Sequence, residues 1–138
     1  MTILCGKLKN LITVDALNRN VGKAISFNYG SYSQTIAEEL ITYRKVGDHA
    51  TNMPCTIRYG NFVNGNYVIN ESIKYGYDTL GNVNAVYENG ELAIRYEYDY
   101  LNRLSREDNK ILGKTTLFTY DNNGNRLTKK HAPTVPSY

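Results

Sequence analysis

The feature that most restricts this chain is a motif that returns every 21 or 22 residues. Tyr75-Gly76-Tyr77-Asp78-Thr79-Leu80-Gly81-Asn82-Val83 lines up with Tyr96-Glu97-Tyr98-Asp99-Tyr100-Leu101-Asn102-Arg103-Leu104. A third copy is Phe118-Thr119-Tyr120-Asp121-Asn122-Asn123-Gly124-Asn125-Arg126-Leu127. The shared pattern is aromatic-x-Tyr-Asp-x-x-(Gly/Asn), then a basic or amide residue and an aliphatic one. The third copy reads as carrying one extra residue before Leu127, which suits a bulge or a turn of variable length. Repeats of this length are supersecondary units that bury their faces only against neighbours.

Each position has a physical reason. Residues two apart in a strand share a face, so Tyr75 with Tyr77, Tyr96 with Tyr98, and Phe118 with Tyr120 project together. A tyrosine ring buries its body while its hydroxyl seeks a partner. An Asp directly after a strand can accept from backbone N–H groups two residues on, forming an Asx-turn. Three residues after each Asp stands Gly81, Asn102 or Gly124, the types that best tolerate positive φ. Asn64-Gly65 and Asn89-Gly90 signal two-residue hairpin turns. The unit is therefore two strands and two turns.

Fainter copies precede these. Ile12-Thr13-Val14-Asp15-Ala16-Leu17-Asn18-Arg19 matches the Asp-x-Leu-Asn-Arg of Asp99 to Arg103. Ile41-Thr42-Tyr43-Arg44-Lys45-Val46-Gly47 keeps the tyrosine and the glycine but puts Arg44 in the Asp position. Phe27-Asn28-Tyr29-Gly30 and Ile57-Arg58-Tyr59-Gly60 keep only the alternation. The expected organisation is degenerate β-hairpin repeats over 1–72, clear repeats over 73–130 and a tail over 131–138, where Pro133 and Pro136 oppose strand pairing. Ser33 to Ile41 reads as a strand preceded by a loop.

Thirteen Tyr, 17 Asn, no Trp and only three Pro agree with short strands joined by tight turns rather than a helical bundle. The expected fold is all-β: antiparallel hairpins forming a curled sheet or a partial β-shell or solenoid, with no helix beyond about two turns. No stretch approaches the roughly 18 apolar residues of a membrane-spanning helix. The segment before Lys7 lacks a signal-peptide apolar core. A net charge of +3 demands neither nucleic acid nor a membrane surface. Cys5 and Cys55 lie 50 residues apart, and nothing in that spacing favours or forbids their pairing. There is no CxxC or Cys/His cluster to hold zinc, and no cofactor motif. His49 falls in a turn-like stretch and His131 in the polar tail, without an identifiable nucleophile. P-loop, GxSxG, HExxH and GxGxxG motifs are absent.

Three functional readings compete with a structural one. Aromatic hairpin solenoids can bind glycans, but they usually place adjacent aromatics after Gly and often use Trp. Lys74-Tyr75, Arg95-Tyr96 and Arg58-Tyr59 interleave cations and rings as single-strand nucleic-acid platforms do. Interspersed Glu88, Glu91, Glu97, Glu107 and Asp108 interrupt such a track, so inward Tyr and outward base is the simpler reading. Asp78, Asp99 and Asp121 could be read as catalytic carboxylates, but these must converge on one substrate atom. Stacked repeats instead form a ladder in which each Asp serves its own turn.

The Tyr-x-Tyr-Asp-x-x-Gly pattern resembles the YD repeat of Rhs-type proteins: bacterial Rhs and polymorphic toxins, toxin-complex shell subunits and teneurin ectodomains. The resemblance covers residues 73–130 well and 10–72 weakly. It implies hairpins that spiral into a hollow shell, a structural, non-catalytic role, a toxin cargo or adhesion segment as partner, and a secreted or cell-surface location. Carried over by position, Tyr75, Tyr77, Asp78, Gly81, Tyr96, Tyr98, Asp99, Asn102, Arg103, Phe118, Tyr120, Asp121 and Gly124 are structural repeat residues. Two departures stand out: neither Pro133 nor Pro136 follows an Asp, so the family's Asp-Pro-x-Gly cleavage motif is missing, and no toxin domain follows within the chain. Size sets a further limit. About a dozen strands at ~4.8 Å give a wall of roughly 58 Å, or a ring about 18 Å across. A 100-residue cargo measures over ~30 Å, so this length alone does not enclose one. The open margin after the third copy is expected to meet another copy of the chain by preference, and otherwise more of a larger shell or the tail.

Overall fold

The computed structural model describes residues 7–29 and 31–133. Ten strands form one antiparallel sheet whose order across the sheet is the order along the chain. They are β1 (Lys7–Val14), β2 (Asn20–Tyr29), β3 (Tyr32–Val46), β4 (His49–Val63) and β5 (Asn66–Tyr77), then β6 (Val83–Glu88), β7 (Glu91–Tyr98), β8 (Leu104–Asn109), β9 (Lys114–Tyr120) and β10 (Arg126–Pro133). No helix occurs among the described residues, and none is long and apolar enough to cross a membrane. The all-β, hairpin-built expectation holds, with ten strands in place of about a dozen. The chain divides into two compact units, 1–74 and 75–138.

In the first unit the strands are long. Ser33 to Ile41 lie within β3, as the sequence reading has them, and β3 and β4 each run for 15 residues. β3 runs past Tyr43 because Arg44 cannot cap a loop as Asp does; it turns only at Gly47-Asp48, where Val46 faces His49. Gly47 takes φ 58, so the glycine of this fainter copy keeps its left-handed role although the turn is shorter. Pro54 sits inside β4 at the irregularity opposite Tyr43, where a missing N–H interrupts the ladder least. Asn64-Gly65 closes β4 to β5 with φ 51 and 79, as its sequence predicts.

In the second unit the units of about 21 residues are geometrically plain. Five-residue loops at 78–82, 99–103 and 121–125 alternate with tight turns at Asn89-Gly90 and Lys110–Gly113. Asn89 and Gly90 have φ 51 and 91, the pair of positive values that a twisted two-residue hairpin requires. His131 to Pro133 belong to β10, paired with Thr116 to Lys114, so the strand takes in the first three residues of the expected tail. The remainder, 134–138, lies outside the described residues, as does Cys5. Cys55 is a half-buried free thiol in β4.

A sheet of this kind has little interior. Only Ala24 and Ala93 are buried apolar residues among those described. The aromatic rows are half-buried, so cross-strand pairs and side-chain hydrogen bonds carry much of the cohesion.

Candidate functional site

The candidate site is the set of Asp loops and the side chains that join one loop to the next. Asp78 Oδ1 accepts from the Leu80 and Asn82 amides at 2.9 and 2.8 Å, and its Oδ2 from Asn82 Nδ2 at 2.9 Å. The Asp78 amide donates to the Asn82 carbonyl at 2.9 Å, closing the five-residue ring. Asp99 repeats this with Leu101 and Arg103, at 3.0 and 2.9 Å, while Arg103 grips Oδ2 with Nε at 2.8 Å and Nη2 at 2.7 Å. Asp121 repeats it with Asn123 and Asn125, at 2.9 and 2.8 Å, and Asn125 Nδ2 reaches Oδ2 at 2.9 Å.

The fourth such loop is Asp15 to Arg19. Asp15 Oδ1 accepts from Leu17 and Arg19 amides at 2.9 and 3.1 Å, and Arg19 Nε meets Oδ2 at 2.6 Å. The copy that looked faint in the sequence is thus a full loop. Its signal was present in Asp15, Leu17, Asn18 and Arg19; the preceding Val14, in place of Tyr, hid it. The fourth residue of each loop is left-handed: Asn18 at φ 58, Gly81 at 90, Asn102 at 64 and Gly124 at 85.

The loops at 15–19, 99–103 and 121–125 are each followed by a one-residue bulge. Val14 faces Asn20 but Thr13 faces Gly22; Tyr98 faces Leu104 but Glu97 faces Arg106; Tyr120 faces Arg126 but Thr119 faces Thr128. Val21, Ser105 and Leu127 are therefore equivalent bulge residues. The third copy has no longer loop: Arg126, not Leu127, corresponds to Leu104.

Tyrosines tie successive repeats together. Tyr98 donates its hydroxyl to the Val83 carbonyl and Tyr120 to the Leu104 carbonyl, both at 2.7 Å. Tyr43 does the same to Asn20 at 2.7 Å. In every case the acceptor is the residue immediately after the preceding Asp loop. Arg103 adds a second tie, donating Nη1 to the Asp121 carbonyl at 3.1 Å and laying its guanidinium 4.6 Å from the Tyr120 ring centre. Arg19 lies 4.4 Å from the Tyr43 ring centre and donates to the Thr51 carbonyl, while Thr51 in turn donates to the Arg44 carbonyl at 2.7 Å. Asn82 and Asn102 pair their amides instead. None of these acceptors was legible in the motif.

The electrostatics follow from this geometry. All four carboxyls are held below the ordinary carboxylate value. Hydrogen bonds from the Asn82 and Asn125 side chains are the leading cause at Asp78 and Asp121, as the Arg19 side chain is at Asp15. At Asp99, desolvation pushes upward, and the Arg103 backbone and guanidinium together outweigh it. Burial raises the Tyr98 hydroxyl, helped by the nearby Asp78 charge. Burial also raises Tyr96, with Glu107, Tyr98 and Tyr75 adding to it. Tyr75 and Tyr77 are half-buried in β5, and Phe118 lies under Lys129 at 5.9 Å.

One polar cluster lay outside the motif. Asp108, 2% exposed, accepts from Arg106 Nε at 2.9 and 3.0 Å and from Thr115 Oγ1 at 2.6 Å. A buried carboxylate needs such partners to remain charged. Thr116 Oγ1 meets His131 Nδ1 across the next strand pair at 3.1 Å. No group of three or more His, Cys, Asp or Glu able to hold a metal occurs among the described residues. Comparison with protein-family models and with curated proteins finds no match for this chain.

Proposed function

We propose that the chain is a non-catalytic structural repeat module, a piece of wall of the kind that Rhs/YD-repeat shells use to enclose or present a toxin or adhesion segment. One observation carries the reading. Four Asp loops of the same hydrogen-bonded form recur, and a Tyr hydroxyl ties the next repeat to the carbonyl after the loop in three places. Each carboxylate uses both oxygens within its own loop, whereas a catalytic pair would aim a lone pair at a shared substrate. On this reading the module works outside the cell or at its surface, with a cargo, or the rest of a larger shell, as its partner.

A second reading, an aromatic repeat that binds glycans or cell surfaces, has one observation in its favour: Tyr100 stands 92% exposed, next in the chain to the exposed Leu101.

Stacked repeats with nearest-neighbour contacts accept added units. Duplicating residues 78–120 directly after Tyr120 preserves every loop-to-loop contact and should give a folded chain that melts no lower than the parent. An unfolded or less stable product would reject the modular reading. On a glycan array, saturable binding abolished by Tyr100→Ala would support the second reading instead.

A further inference from the structure

We infer that the β10 edge is a docking site for a β-hairpin supplied by another module, and that it selects a strand running into Tyr-Asp-x-x-Asn-Arg. The inference rests on the repeat reading above and deepens it by naming the partner.

The four Asp loops come in two kinds. Those at 15–19 and 99–103 end in Asn-Arg; those at 78–82 and 121–125 end in Gly-Asn. The Asn-Arg kind reaches the next repeat with its guanidinium, as Arg103 does to Tyr120 and the Asp121 carbonyl. The Gly-Asn kind reaches it with an amide. Asn82 Nδ2 gives one hydrogen to Asp78 at 2.9 Å and the other to Asn102 Oδ1, and Asn102 Nδ2 returns a contact of 3.4 Å. So a Gly-Asn loop is matched, two strands on, by an Asn-Arg loop, and Tyr98 locks the same joint through the Val83 carbonyl.

The last loop is of the Gly-Asn kind and has no such match in the described chain. Asn125 Nδ2 gives one hydrogen to Asp121 at 2.9 Å, and among the described residues none takes the other. The Arg126 carbonyl stands where Val83 stands in the complete joint. Among the described residues β10 pairs with β9 alone.

The complete joint also supplies the register. Counted from the two loops, Ala85 faces Arg95, Tyr87 faces Leu92 and Glu88 faces Glu91. Transferred to β10, a β7-type strand sets Arg95 opposite Thr128, Leu92 opposite Lys130 and Glu91 opposite His131. Glu97, at the loop end, comes beside Arg126. Glu97 thus meets the cation Arg126, and Glu91, opposite His131, lies on the face that Lys129 shares.

A second copy of this chain fits worse. Its β1 enters an Asn-Arg loop, but it would set Lys9 beside Lys130. Val14 in the tyrosine place brings no hydroxyl to the Arg126 carbonyl. Like charges and a missing bond work against that pairing, as Lys on an edge strand does generally.

The test uses the full chain and a fluorescent synthetic peptide of residues 91–109, which spans β7, its loop and β8. Anisotropy at low salt should show saturable binding. Asn102→Ala or Tyr98→Phe in the peptide should weaken it about fivefold, roughly one lost hydrogen bond. A peptide of residues 7–23 should bind at least about tenfold more weakly. Absence of saturation, equal binding of the two peptides, or indifference to both peptide substitutions would overturn the inference. So would concentration-dependent dimerisation of the free chain by light scattering with no peptide binding, since a second copy would then be the occupant. Asn82→Ala in the chain separates this failure from failure of the repeat reading. A lower melting temperature without peptide binding rejects only the docking site, and an unchanged one rejects the joint itself.

Discussion

Removing the Tyr98 hydroxyl should measure what one inter-repeat tie contributes. In Tyr98→Phe the half-buried ring stays, and only the 2.7 Å bond to the Val83 carbonyl is lost. A neutral hydrogen bond contributes about 1 kcal/mol net, and water can reach part of this joint, so the expected loss is about 1 kcal/mol. For a chain of 138 residues that is a fall in Tm of about 3–5 °C. Tyr98→Ala removes the ring as well. Full truncation of a buried aromatic costs about 3–5 kcal/mol, and half-burial brings the expectation to about 2 kcal/mol. Tyr100→Phe, at a side chain 92% exposed, should leave Tm unchanged and serves as the control. Differential scanning calorimetry on the four proteins gives the comparison. If Tyr98→Phe melts with the parent, the tie carries no stability and the coupling argument fails. If Phe and Ala cost the same, the hydroxyl rather than the ring dominates and the burial estimate is wrong.

Further outcomes follow from the same geometry. Gly81→Val should cost about 1–3 kcal/mol in chemical denaturation, because a β-branched residue is strained at positive φ, and Gly81 has φ 90. Gly60→Ala should destabilise through overpacking, since a Cβ there meets the Tyr67 ring and the Val68 carbonyl oxygen, each at 2.5 Å; urea titration checks it. Acid should melt the chain. The four loop carboxyls have folded pKa values below their unfolded one, so their stabilisation is complete above about pH 4 and lost as pH falls through the lower folded values. Circular dichroism against pH should show Asp99→Ala less sensitive to acid than the parent.

What the sequence made legible is the local chemistry. An Asp at the end of an alternating strand, followed three residues on by Gly or Asn, caps its loop with contacts inside five residues, and so Asp78, Asp99 and Asp121 declare themselves. Asn64-Gly65 and Asn89-Gly90 do likewise. What stayed hidden depends on partners distant in sequence. The carbonyls that receive Tyr43, Tyr98 and Tyr120 are main-chain atoms, which carry no residue signature. The bulge at Val21, Ser105 and Leu127 accepts any side chain, which is why Leu127 aligned with the wrong position. Lys110–Gly113 turns without an Asn-Gly pair, and the Asp108 cluster depends on which strands lie beside β8. His131 and Ala132 sit next to Pro133 and so read as tail, yet an edge strand tolerates a terminal Pro that a central one would not.

The most direct test is amide hydrogen exchange on the loops, in the parent and in Asp99→Ala. The claim is that each carboxylate serves its own loop. In the parent, the amides of Leu80, Asn82, Leu101, Arg103, Asn123 and Asn125, all bonded to an Asp Oδ1, should exchange more slowly than those of Thr79, Tyr100 and Asn122. In Asp99→Ala, Leu101 and Arg103 should speed up by about tenfold or more, while the pairs at 78–82 and 121–125 keep most of their protection. No change at Leu101 and Arg103, or an equal loss at all three loops, would contradict the account.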